Sequence, residues 1–255
     1  MKKILLGIFC TMIVILMAGC AGKQVEKTAD QLAQEGERHF EDEKYRNAIE
    51  AYKRLKDWYP YSPHARKALL RVADSHYHLE EYEEAIFGYE QYEQLYPNDP
   101  EVPYVIYRIG LCHFDRMKTI DRTQVPARNA LETFERLKSR FPASHYAEKA
   151  GQKIEKCLEN IAGHEFYVGR FYFKSGHYKA AASRFQNVVD LYPDHLEVHK
   201  EAVDYLAMAE TRLEKQDAPP ETPETGAGAQ DRPFADTPST SPAPGPIPTP
   251  APTPE

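Results

Sequence analysis

The side chains of this 255-residue chain that could do chemistry are its 4 cysteines and 10 histidines, and their spacing decides what is open to them. His39, His76 and His113 recur every 37 residues. A shared zinc needs each ring nitrogen within ~2 Å of the metal, whereas equivalent residues of neighbouring helical repeats stand a packing distance of ~9 Å apart. The periodicity therefore predicts packing residues and no metal. His195 and His199 are four apart and could both reach an ion, but no third ligand accompanies them. Cys112 and Cys157 lie 45 residues apart, outside any CxxC spacing. A disulfide between them is open in an oxidising compartment, and a pair of small, buried apolar residues on helix faces is the favoured expectation. GxSxG, HExxH and Gly-rich phosphate motifs are absent, and the acids are expected to spread as solvated helix faces. The chain is expected to be no enzyme and to use no cofactor.

Cys20 is placed for a different reaction. Lys2 and Lys3 precede an apolar run from Ile4 to Met17, after which Ala18 and Gly19 stand before Cys20. A run of about 14 residues is too short to cross a hydrocarbon core of roughly 30 Å as a helix, so it reads as a secretory signal. Leu16-Met17-Ala18-Gly19-Cys20 resembles the bacterial lipobox, where signal peptidase cuts before a cysteine whose sulfur already carries diacylglycerol. Met17 departs from the branched aliphatic commoner at its position. On this reading residues 1–19 are removed, Cys20 carries lipid including palmitate, and Ala21 in place of Asp sorts the protein to the outer membrane. One acyl chain binds a bilayer only marginally; the three of a mature bacterial lipoprotein hold firmly. Loss of residues 1–19 leaves 30 basic residues against 39 acidic ones. That net negative charge argues against nucleic acid or a polybasic membrane patch as partner.

The elements that must position everything else are repeats. The stretch from Phe171 to Pro193 with Gly169 before it offers Gly, aromatic, Gly turn at Gly176, then Tyr178, Ala181, Phe185 and Pro193. These are the landmarks of the tetratricopeptide pattern, in which small residues let two antiparallel helices approach and a proline stops the second. Pro60, Pro97, Pro142 and Pro193 each follow an aromatic, at intervals of 37, 45 and 51 residues. The first unit uses Leu32, Gly36, Tyr45, Ala48, Ile49, Tyr52 and Leu55; the second repeats them from Leu69 to Tyr92. The third carries an insertion from Arg116 to Arg128, and the fourth a long first helix from Tyr146 to Lys174, weakened at Gly151 and Gly163. One further helix, 196–216, has no second helix behind it.

The expected fold is thus all-α, a tetratricopeptide-repeat superhelix of about 4.5 helix pairs. A lipidated tether occupies 20–30, an N-terminal half 31–143, and a C-terminal half 144–216. From 217 the chain holds 12 of its 20 prolines and one large aromatic, Phe234, too little apolar surface to fold, so residues 217–255 are expected to form a disordered tail. First helices should line a concave groove. Phe40, Tyr77 and Phe114, with Tyr104 and Tyr107 nearby, are candidates to hold a peptide there by large contact area at low rotamer cost. Ordinary packing between repeats is the equal alternative for these rings.

The export signal, the repeats, Tyr104-Val105-x-Tyr107-x-x-Gly110-Leu111, Asp121-Arg122 and the run HEFYVGRFYFKSGHYKAA from His164 to Ala181 together resemble the BamD (YfiO/ComL) family. The resemblance covers residues 16 to about 213. It implies an outer-membrane lipoprotein of the barrel assembly (BAM) complex, facing the periplasm. Such a protein docks on BamA through its C-terminal half, has other BAM subunits as partners, and receives unfolded outer-membrane β-barrel proteins through its N-terminal half. The family often has Asn-Arg where this chain has Ser183-Arg184, so Arg184, with Arg170, is the candidate for coupling to BamA. The alternative reading is a periplasmic repeat scaffold for pilus or cell-envelope assembly, with the Pro-rich tail reaching toward the cell wall.

Overall fold

In a computed structural model, the structure describes residues 26–194 and 196–218. The signal segment, Cys20, His195 and the Pro-rich segment lie outside them. Nine helices and no strand occur among the described residues. Helices α1 (Ala29–Glu41) and α2 (Tyr45–Trp58) form the first pair, α3 (Ala65–His78) and α4 (Tyr82–Leu95) the second. The third pair is α5 (Val102–Asp115) and α6 (Val125–Arg140), the fourth α7 (His145–Lys174) and α8 (Tyr178–Leu191), and α9 (Leu196–Asp217) stands single. Each helix packs on the next in sequence, and α1 also touches α3, α5 touches α7, and α7 touches α9. First helices therefore lie side by side as one wall, which makes the array a tetratricopeptide-repeat scaffold.

The pairs are tight because glycine faces an aromatic ring. A Cβ added at Gly36 would lie 2.7 Å from the Tyr52 ring, and one at Gly169 would lie 2.6 Å from Phe185. Gly110 meets Phe134 in the same way. In the second pair the first helix carries Ala73, and α4 answers with Gly88, whose added Cβ would lie 2.9 Å from that of Ala73. Ala48, Ala85, Ala130 and Ala181, at equivalent positions, are all fully buried. Each hydrophobic cluster draws on one pair and the first helix of the next: Leu32, Tyr52 and Val72 share one cluster, Phe166, Phe185 and Ala209 another. No pair can bury its own apolar face alone, so stacking builds the core. Helix α9 covers the last cluster.

The second helices end alike. Tyr59, Tyr96, Phe141 and Tyr192 cap them with φ between −130° and −135°. The proline that follows each disfavours α geometry in the residue before it and cannot continue the helix. The turns inside the first, second and fourth pairs also share a form, since Glu43 and Glu80 at φ 59° stand where Gly176 has φ 77°. That glycine was legible as a turn residue; the two glutamates adopt the same left-handed backbone at a steric cost.

Two expectations change. The insertion in the third pair is shorter than residues 116–128, because α6 already begins at Val125 with Pro126 in its first turn, where a missing N–H costs nothing. And the acids are not all solvated, since Asp74 and Glu165 are buried at 3% and 7% exposure. The long helix α7 matches its expected span. Gly151 lies in its interior, and an added Cβ there would meet nothing within 4 Å. Gly151→Ala is therefore expected to stabilise the protein by about 1 kcal/mol through helix propensity alone, read as a higher urea midpoint with unchanged slope.

Candidate functional site

The wall of first helices carries the candidate groove rings, all half-buried. Each of three equivalent rings has a cation from the next first helix on its face. Arg71 lies 4.5 Å over Phe40, Arg108 lies 3.7 Å over Tyr77, and Lys153 lies 4.1 Å over Phe114. A cation over a ring face is attracted by the quadrupole, by about 0.5–2 kcal/mol depending on desolvation. Phe40 and Tyr77 both contact His78, at 5.7 and 5.9 Å between centroids. Tyr104 and Tyr107 meet at Tyr146, at 5.5 and 5.6 Å, and Tyr107 and Phe114 share Phe134. The five rings thus form two neighbourhoods, joined by charged groups between them.

Asp74 on α3 is that junction. Its Oδ1 accepts from the Tyr89 hydroxyl at 2.7 Å and the Tyr104 hydroxyl at 2.6 Å. Arg71 Nη1 approaches Oδ2 at 3.5 Å, and Arg108 Nε stands 3.9 Å from Oδ1 while donating to the Tyr89 oxygen at 2.9 Å. Burial first, and the Asp74 charge second, hold both tyrosine hydroxyls well above their ordinary pKa, so they remain donors. Arg71 also reaches back to Glu37 on α1 at 2.8 Å. Arg108 Nη2 is buried and unpartnered. A groove of about 540 Å³ opens beside this cluster, its wall mixing Arg66, Lys67 and Arg71 with Asp74, Asp99 and Glu101 next to Tyr104 and Tyr146. Arg66 is already paired with Asp99 at 2.6 Å.

Periodicity exposed the rings but not their partners. Arg71 and Arg108 are 37 residues apart, the same interval as Phe40 to Tyr77 and Tyr77 to Phe114. That shared interval was the available signal for them. For Asp74 no sequence pattern marks burial.

In the C-terminal half, Arg184 on α8 donates to Glu165 on α7 at 2.7 Å, and Arg128 reaches the same carboxylate at 3.2 Å. Arg170 lies 5.8 Å from the Phe166 ring and 5.7 Å from Tyr205. The two candidate arginines therefore rest on different partners. Cys112 and Cys157 are free and buried in separate clusters, and burial pushes their thiols up to about 12 and about 11. His39 approaches Glu35 at 4.0 Å, and His76 meets Glu81 at 2.7 Å. Among the described residues no three His, Cys, Asp or Glu side chains converge, and no helix is long and apolar enough to cross a membrane.

Stacked helix pairs presenting a ring-and-cation wall define a tetratricopeptide-repeat scaffold. Within that class the chain belongs to the YfiO family of outer membrane lipoproteins, which matches residues 25–224. It is 30% identical over 231 residues to the outer membrane protein assembly factor BamD of Neisseria gonorrhoeae, covering 84% of this chain and 86% of that one. It is 28% identical over 181 residues to BamD of Caulobacter vibrioides, covering 68% of this chain and 59% of the relative. Among solved structures, the TPR2AB-domain:pHSP90 complex of yeast Sti1 aligns at TM-score 0.42 and 16% identity, over 73% of this chain and 71% of that one.

Proposed function

We propose that the chain is a non-enzymatic outer-membrane protein assembly factor, a lipoprotein scaffold of the BAM complex. The observation that carries this reading is the family match, which spans the described helical array from end to end. Lipid on Cys20 anchors the protein in the outer membrane with the array facing the periplasm. The C-terminal half docks on BamA through the surface holding Arg170 and Arg184. The N-terminal wall receives an unfolded barrel protein, its aromatic groups lying among Phe40, Tyr77, Tyr104, Tyr107 and Phe114 and its terminal carboxylate facing the cations stacked on those rings. The ring-and-cation pairs support this reading, since they match an aromatic-ended, anionic peptide better than a neutral one.

Tyr77→Ala combined with Phe114→Ala tests the groove. Interface aromatics of this kind are worth more than about 1 kcal/mol each. Crosslinking of a barrel-protein C-terminal peptide is expected to fall about tenfold or more, with helicity by circular dichroism retained. Unchanged crosslinking sinks the groove assignment.

A further inference from the structure

The N-terminal rim of the array exposes aromatics that no packing argument uses. Tyr61 is 99% exposed and Trp58 is 49% exposed, both beside the turn after α2. Between them Tyr59 is tied inward, its hydroxyl donating to the carbonyl of Lys27 at 3.0 Å. That bond sets the start of the described chain directly on this rim. On this rim Lys27 pairs with Glu35 at 2.7 Å and Asp30 lies 2.7 Å from His64, while Asp57 beside Trp58 is exposed. From Lys27 back to Cys20 is seven residues, which span at most about 25 Å when fully extended.

We propose that the Trp58–Tyr61 rim is a membrane-contact surface, seated in the headgroup region of the leaflet that carries the Cys20 lipid. The proposal rests on the lipid anchor put forward above. The short reach keeps this rim, of all parts of the array, close to the bilayer. Tryptophan and tyrosine are suited to that depth, with an apolar ring body and a polar N–H or O–H that stays wet. Lipid then fixes where the protein is, and the two rings fix which end faces the membrane. At the equivalent position of the fourth pair stands Leu191, 66% exposed and without a ring.

Trp58 is the single tryptophan of the chain, so its fluorescence reports this rim alone. The full lipidated protein is reconstituted on phosphatidylethanolamine–phosphatidylglycerol vesicles, and flotation is read alongside emission. The expected result is flotation with a blue-shifted Trp58, protected from iodide and quenched by lipids brominated near the headgroup. A second protein carrying Trp58→Phe and Leu191→Trp, checked for helicity, is expected to float and keep a water-exposed emission. Flotation with Trp58 still open to iodide overturns the rim contact and leaves the anchor standing. Equal protection at both positions also overturns it, because the array would then lie on the membrane without a preferred end. Failure to float, with an unmodified Cys20 by mass spectrometry, overturns the anchor and the rim contact together.

Discussion

Asp74→Ala is expected to cost about 3–5 kcal/mol of unfolding free energy, the scale for removing one partner of a buried charge cluster. Domains of ordinary stability have about 5–15 kcal/mol in all, so the variant should sit near the edge of folding. Three things are lost at once. The Tyr89 and Tyr104 hydroxyls, both directed at Asp74 Oδ1, lose their acceptor. Arg108, its side chain 13% exposed, keeps its charge and loses its nearest anion. And α3, α4 and α5, which supply Asp74, Tyr89 and Tyr104 respectively, lose the group that joins them. Tyr104→Phe removes only one hydrogen bond and should cost about 1 kcal/mol. Asp74→Leu with Arg108→Leu should recover most of the loss, because deleting a whole buried ionic pair is far cheaper than orphaning half of it. Urea unfolding followed by circular dichroism measures all three. A loss below about 1 kcal/mol for Asp74→Ala would show that water reaches the site and that the cluster is not a structural junction.

How much of this was open to reading from sequence depends on which interactions repeat. Gly36, Gly110 and Gly169, the buried alanines, and the aromatic-proline pairs recur because every pair must solve the same packing problem, so one copy explains the others. Their roles were legible to the residue. Long α7 was legible too, since no proline interrupts a continuous apolar stripe from Ala150 to Phe166. What escaped is how deeply one acid is buried. Asp74 has a counterpart at the equivalent position on α1, Glu37, which accepts from Tyr52, Lys67 and Arg71 but sits 25% exposed. An aspartate on a helix looks the same in sequence whether it meets water or two tyrosines, because its burial is set by side chains 15 and 30 residues away. The groove rings fall between these cases. Their positions repeat, but whether one face stays open depends on the length and rotamer of an arginine or lysine from the next pair.

The same substitution should change sign along the wall of first helices, and Gly110→Ala is where it costs most. The change gains about 1 kcal/mol of helix propensity at either site, which is all that Gly151→Ala meets. At Gly110 the new methyl runs into the Phe134 ring, whose Cε1 and Cδ1 are its nearest neighbours. That ring is fully buried, holds Tyr107 at 5.8 Å and Phe114 at 6.4 Å, and so has no free volume into which to turn. Overpacking of a closed core costs about 1–3 kcal/mol and occasionally more. A net loss of about 2–3 kcal/mol is expected once the propensity gain is subtracted. Because α5 and α6 must separate to admit the methyl, Tyr107 and Phe114 should shift with them, and peptide crosslinking should fall along with stability. Phe134→Leu shortens the obstructing side chain. In that background Gly110→Ala should cost less than half as much, the mark of a steric conflict between two named groups. If the cost of Gly110→Ala is the same with Phe134 present or shortened, the close approach of α5 and α6 is not what the glycine is for, and the pairing rule read at Gly36 and Gly169 fails with it.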